Sequence, residues 1–140
     1  MMGEYDKALI DLNKALERRR KSSLALQNRG YIYFQLKEYE KCIEDYKRYI
    51  RRNPGDADVV NGIGLAFFRL RNFDEALKEY DRSIELRPNN GTYYINRSYA
   101  HNMKGNLHDA LNDATKAKEL GVNIDNRYLT YLQQQLDGQN

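Results

Sequence analysis

The chain has 140 residues, of which 31% are charged, 11% are aromatic (12 Tyr, no Trp) and one is cysteine. A compact globule of that length buries roughly two thirds of its unfolded surface. Its longest apolar stretch, Ile63 to Phe68, is far too short to span a bilayer, and the start Met-Met-Gly-Glu-Tyr-Asp lacks a basic end followed by an apolar run, so no membrane partner is expected and the chain reads as cytoplasmic. A single thiol, Cys42, builds neither a disulfide framework nor a zinc site.

From the N-terminus, Tyr5, Ala8, Leu9, Leu12, Ala15 and Leu16 predict a helix over roughly residues 5 to 20. The first helix of its pair is absent, so its apolar stripe is exposed: either the chain is part of a longer array, or the stripe packs against another copy, with Tyr5, Leu9, Leu12 and Leu16 the candidates for self-association. Arg18, Arg19, Arg20 and Lys21 follow. Together with Arg48, Arg51 and Arg52 they make residues 1–56 basic, 13 Lys and Arg against 9 Asp and Glu, while the remainder holds 10 against 11. Cations at the last turn of a helix complement its carbonyl end, which explains both clusters without a ligand.

The next helix runs from about Ser23 to Lys37, with Leu26, Gly30, Tyr33 and Leu36 on one side. Its partner carries Tyr39, Cys42, Ile43, Tyr46, Tyr49 and Ile50, and Asn53-Pro54 ends the pair. A second pair opens at Asp56, a good cap, with Val60, Ile63, Gly64 and Phe67, then Phe73, Ala76, Leu77, Tyr80 and Ile84, and closes at Pro88. In the third pair Tyr94, Ser98 and His101 precede Leu107, Ala110, Leu111, Ala114 and Ala117. Val122 stands where proline is expected, and Gly121 is the predicted stop. Tyr128, Tyr131, Leu132 and Leu136 then predict a solubilising final helix with a polar outer face.

Sliding the chain by 34 residues superposes Gly30 on Gly64 and Ser98, Cys42 on Ala76 and Ala110, and Pro54 on Pro88. The small residues are expected where two helices pass closest, with Cys42, Ala76 and Ala110 opposite them. The whole pattern resembles the tetratricopeptide repeat, whose period is 34 residues. That resemblance implies an all-α, right-handed superhelical solenoid of antiparallel helix pairs with a C-terminal capping helix. Its expected parts are the second helix of an incomplete repeat at 1–21, complete repeats at 22–55, 56–89 and 90–122, and a cap at 123–140. Arg29 and Arg97 stand where the family often has leucine, and Lys37 and Arg71 replace the turn glycine that Gly3 and Gly105 keep.

No signature of catalysis emerges, so the chain is read as non-enzymatic and without cofactor or metal. Gly62 and Gly64 lie inside a helix rather than between a strand and a helix. His101 and His108 fall on different helices, with no third ligand to complete a metal set. Acidic residues including Asp45, Glu79 and Asp113 alternate with basic ones and read as solvated outer faces.

In arrays of the resembled family the first helix of each pair lines a concave side. The helical face opposite the seam then holds the candidate peptide-binding residues: Leu24, Gln27, Asn28, Tyr31 and Phe34; Asn61, Leu65, Phe68 and Arg69; and Ile95, Asn96, Tyr99 and Met103. Tyr31, Leu65 and Tyr99 form an apolar row and Asn28 and Asn96 flank it, so aromatics would hold side chains while amides pair with peptide backbone. Family members that clamp a chaperone's terminal carboxylate use Lys and Asn on the first groove helix, Asn on the second and Lys and Arg on the third, at places that here carry Gln27 and Tyr31, then Gly62, then Thr92 and Asn96. A clamp is therefore not expected. The expected function is a protein-binding module whose partner is a protein or peptide of unknown identity. The alternatives are a homodimer through the N-terminal helix and, ranked below it, nucleic-acid or acidic-partner binding through the basic edge.

Overall fold

A computed structural model describes residues 2–18 and 22–138, and among these every regular element is helical. The helices are α1 (Met2–Arg18), α2 (Ser23–Gln35), α3 (Tyr39–Ile50), α4 (Ala57–Arg69), α5 (Phe73–Leu86), α6 (Gly91–Met103), α7 (Leu107–Glu119) and α8 (Asn126–Asp137). Each packs on its sequence neighbours, and α4 also touches α6, so the hairpins α2–α3, α4–α5 and α6–α7 stack as a right-handed solenoid capped by α8. No helix among the described residues is long and apolar enough to cross a membrane. Arg19, Arg20 and Lys21 lie outside the described residues. Of the second basic cluster, Arg51 is the C-cap of α3 and Arg52 follows it, so neither sits in the last turn.

The helix starts are written in short polar side chains. Ser22 accepts from the Ala25 N–H, Asp56 from Val59, Asn72 from Glu75, Asn90 from Thr92 and Asp125 from Arg127, each satisfying an amide that the first turn leaves without a carbonyl. The stops are equally regular. Glu38, Asn72, Asn106 and Val122 donate their N–H groups to Tyr33, Phe67, His101 and Ala117 five residues back, and the residue before each donor has positive φ. Glycine supplies that conformation at Gly105 and Gly121, whereas Lys37 (φ 62) and Arg71 (φ 61) adopt it against their Cβ atoms. Gly3, expected in such a turn, lies instead inside α1.

The seams of the first two hairpins are each built around a tyrosine laid on a glycine. A Cβ on Gly30 would stand 2.5 Å from the Tyr46 ring, and one on Gly62 of the next hairpin 2.9 Å from the ring's other edge. Tyr46 is thus held between α2 and α4. Gly64 meets Tyr80 in the same way at 2.7 Å, and Tyr80 is fully buried. The partner of the small residue is therefore the tyrosine sixteen residues on, with the Ala76 carbonyl also near Gly64, rather than the small side chain expected opposite it.

The third hairpin has Ala114 at the tyrosine position. Ser98 replaces the glycine, donates to the Ala110 carbonyl at 2.6 Å, and lies 3.0 Å from the Tyr128 hydroxyl of α8. Val122 has a packing role too, since a Cβ on Gly91 would meet it at 2.6 Å. Cys42 is fully buried, and burial pushes its thiol up to about 12, which keeps the nucleophilic thiolate scarce at neutral pH.

Candidate protein-binding surface

Of the first helices, α4 and α6 touch, and polar contacts set their register. Asn96 donates to Asn61 at 3.0 Å, and Tyr93 and Arg87 (2.9 Å) both donate to Asp58. Those bonds, the one from Tyr93 first, hold the Asp58 carboxyl below the usual carboxylate range, so it is ionised at neutral pH.

Along this surface Tyr31 is 55% exposed and Tyr99 41%, with Leu65 half-buried between them. Leu24, Asn28, Arg69 and Met103 are exposed, while Gln27, Asn61 and Asn96 are partly so. Phe34 and Phe68 are half-buried and stand edge-on to Tyr39 and Phe73 at 5.3 and 5.5 Å, which makes them hairpin-packing residues with one open edge. Ile95 is a correction: it is buried in the cluster under α8, because α7 and the cap close over that side of α6. Tyr99 rests on the Tyr128 ring at 4.9 Å, so the apolar row ends beneath the cap.

At the N-terminal end the row opens into a slot of about 570 Å³, lined by Tyr5, Ala8, Asp11 and Leu12 of α1 and by Asn28, Tyr31 and Ile32 of α2. Of the four self-association candidates, Leu16 is corrected: it is buried against Ala25 and Leu26 and belongs to the α1–α2 interface. Tyr5, Leu9 and Leu12 are half-buried.

The acidic residues expected on solvated faces divide differently. Asp45 and Asp113 are buried, and each takes a two-pronged bond from an arginine sixteen residues earlier. Arg29 Nε and Nη2 donate to Asp45 at 2.6 and 2.7 Å, and Arg97 Nε and Nη2 to Asp113 at 2.7 Å each. Arg29 also reaches Asn13, and Arg97 reaches Asp81. The two arginines that depart from the family's leucine are thus the partners of two carboxylates that repeat patterning alone places in solvent. The signal in the chain was the shared 16-residue interval in the first and third hairpins, missing from the second, where Ile63 faces Glu79.

Glu79 shows what that missing arginine leaves behind. Its Oε2 is buried without a hydrogen-bond partner, and desolvation raises its pKa despite the cationic Arg82 and Lys47 nearby. The folded state therefore holds this proton more tightly than the unfolded chain. The group favours folding below the ordinary value of 4.5, and that contribution is lost as pH rises through the raised value. At neutral pH the ionised carboxylate opposes folding. Glu79→Gln is expected to raise the midpoint of a thermal melt followed by circular dichroism at pH 7, with the gain fading as the pH is brought down to about 4.

A family model described as tetratricopeptide repeat matches residues 23–56 and 57–90. No curated protein matches the sequence. Among solved structures, MamA from Desulfovibrio magneticus RS-1 is 21% identical, with 85% of this chain and 67% of that one covered and a TM-score of 0.81. The first TPR of Spaghetti (RPAP3), bound to the HSP90 peptide SRMEEVD, is 24% identical, with 84% and 94% covered and a TM-score of 0.79. A further crystal structure of MamA is 25% identical over 85% and 70%, with a TM-score of 0.80. These likenesses are of fold.

Proposed function

Because this chain belongs to the tetratricopeptide repeat family, whose fold serves as a protein–protein interaction scaffold, we propose that it binds a protein segment along the concave face of α2, α4 and α6 and performs no chemistry of its own. The observation that carries this reading is the row Tyr31, Leu65 and Tyr99, with two tyrosines exposed in a surface otherwise held by polar contacts between helices. Aromatic rings supply apolar contact at little conformational cost, and the flanking amides of Asn28 and Asn61 can both donate to and accept from a peptide backbone.

The ligand is an internal segment with apolar side chains, not a free C-terminus. The RPAP3 relative holds an HSP90 peptide, but the places where clamp-type members carry Lys, Asn, Asn, Lys and Arg hold Gln27, Tyr31, Gly62, Thr92 and Asn96 here, none of them a cation. Shifting the comparison by one repeat places the ionised Asp58 where a cation is required, and Asp58 repels a carboxylate.

Panning a displayed peptide library on the wild-type chain and measuring the selected peptides by fluorescence polarisation tests this. Asn28→Ala with Tyr31→Ala is expected to weaken them about tenfold or more while far-ultraviolet circular dichroism is unchanged. Unaltered affinity would remove the concave face from the account.

A further inference from the structure

Three clefts lie between successive second helices, α1 and α3, α3 and α5, and α5 and α7, in one repeat register. A shift of 34 residues turns Asn13, Leu16, Glu17, Arg29 and Arg48 of the first into Lys47, Ile50, Arg51, Ile63 and Arg82 of the second, and Asp81 and Arg97 of the third follow at the same interval. In the outer two the arginine on the first helix is consumed, Arg29 by Asp45 and Asn13, Arg97 by Asp113 and Asp81. The middle cleft has Ile63 there, and its cations stand on the walls instead.

Lys47 and Arg51 line one wall and Arg82 the other. Among the described residues none of the three lies within ion-pairing distance of a carboxylate, and Lys47 Nζ rests over the Phe67 ring at 5.1 Å. Helix-end electrostatics does not require the first two, since the same repeat positions carry Asn13 and Glu17 before them and Asp81 and Glu85 after them. Beneath the cations Ile50 and Ile63 form a buried apolar floor, and Pro54 completes a cleft of about 420 Å³. Its walls α3, α4 and α5 each pack between two described helices, so the cleft belongs to the interior of the stack and not to either end.

We propose that this middle cleft binds a phosphorylated side chain of a partner protein, with the phosphate on Lys47, Arg51 and Arg82 and the stem on Ile50, Pro54 and Ile63. Two guanidiniums and one ammonium in a single cleft suit a compact dianion with three acceptor oxygens. An extended polyanion fits less well. Glu17 lines the neighbouring cleft on one side, and Asp109 with the arginine-bound Asp81 and Asp113 lines the other, so a nucleic-acid strand or an anionic membrane crossing the middle cleft meets like charge beside it. Glu79, the acidic group among the lining residues, opposes any anion in the cleft and so marks its position in a test. The cleft shares no residue with the concave row, and the two readings stand or fall separately.

The probe is phenyl phosphate, titrated onto the full chain in phosphate-free buffer while the Ile50 and Ile63 methyl groups are followed by proton–carbon correlation spectra. Saturable shifts of both are expected, with binding tighter than that of inorganic phosphate by about fivefold or more, because the free ion has no stem to lay on the floor. Arg82→Ala and Arg51→Glu are each expected to weaken binding about tenfold or more, and Glu79→Gln to tighten it. Arg51→Glu installs the residue that both flanking repeats carry, so its effect is read on a folded chain. Tyr31→Ala is expected to leave binding unchanged. Silent isoleucine methyls, indifference to Arg51 and Arg82, or weaker binding with Glu79→Gln would each overturn the proposal. So would equal affinity for inorganic phosphate, which reads as an adventitious ion only, or larger shifts of the same methyls with oligothymidylate or phosphatidylserine vesicles.

Discussion

Arg29→Ala is expected to destabilise the fold by about 3–5 kcal/mol, the cost of leaving a buried charge without its partner. Asp45 has a side chain only 2% exposed, and after the substitution its nearest cation is Arg48 at 3.8 Å, which is partly in solvent. A surface ion pair would cost less than about 1 kcal/mol, so the measurement separates the two situations clearly. The double change Arg29→Leu with Asp45→Leu is expected to recover most of the loss, because apolar replacement of a whole buried pair is often neutral or stabilising. Urea denaturation of the wild type, Arg29→Ala and the double leucine variant gives both numbers. A single-site loss below 1 kcal/mol would mean that solvent reaches Asp45.

The second large effect lies at the seam of α4 and α5. Tyr80→Ala is expected to cost about 3–5 kcal/mol, as loss of a fully buried aromatic generally does. The same ring decides what happens at Gly64. Alanine is the better helix former by about 1 kcal/mol, yet Gly64→Ala in the native protein is expected to cost about 1–3 kcal/mol, because its Cβ would lie 2.7 Å from Tyr80 Cε1 and 3.3 Å from the Ala76 carbonyl oxygen. With Tyr80→Ala already in place, Gly64→Ala should become neutral or favourable, a reversal of sign that simple propensity does not produce. Tyr80→Phe is the control. The Tyr80 hydroxyl is buried without a partner, so its removal is expected to be harmless or mildly stabilising.

These two sites show which parts of the molecule were legible in the chain. Helix pairs, caps and stops follow from local chemistry: Asp56 and Asn72 are caps because a short carbonyl-bearing side chain reaches an unpaired amide, and Gly121 ends a helix because its φ is positive. The 34-residue superposition carried the stacking, since each small residue recurs where two helices meet. Position within the stack was less visible. A 3.6-residue period gives the direction of a side chain on its own helix, but not which later helix covers it. Spacing alone thus puts Asp45 in solvent although Arg29 encloses it, and Ile95 in a groove although α8 covers it. Leu16 follows the same rule, because α2 covers the side of the N-terminal helix that carries it.

The candidate surface divides in a similar way. Tyr31 and Tyr99 are recognisable as a row because they share one helical register, and the structure leaves both exposed. The bond between Asn61 and Asn96 could not be read from spacing, because the two residues are 35 positions apart on neighbouring helices rather than in strict repeat register. Asp58 likewise looks like an open charge in the chain, whereas Tyr93 and Arg87 hold it in place.

The central claim, that the concave row is the working surface, is tested most directly by site-specific photocrosslinking. A benzophenone side chain replaces Tyr31 or Tyr99 in one pair of proteins and the exposed Lys78 of α5 in another, each irradiated with a peptide selected on the wild-type chain. The account predicts adducts from positions 31 and 99 and none from 78. Equal labelling from position 78, or labelling there alone, would contradict it.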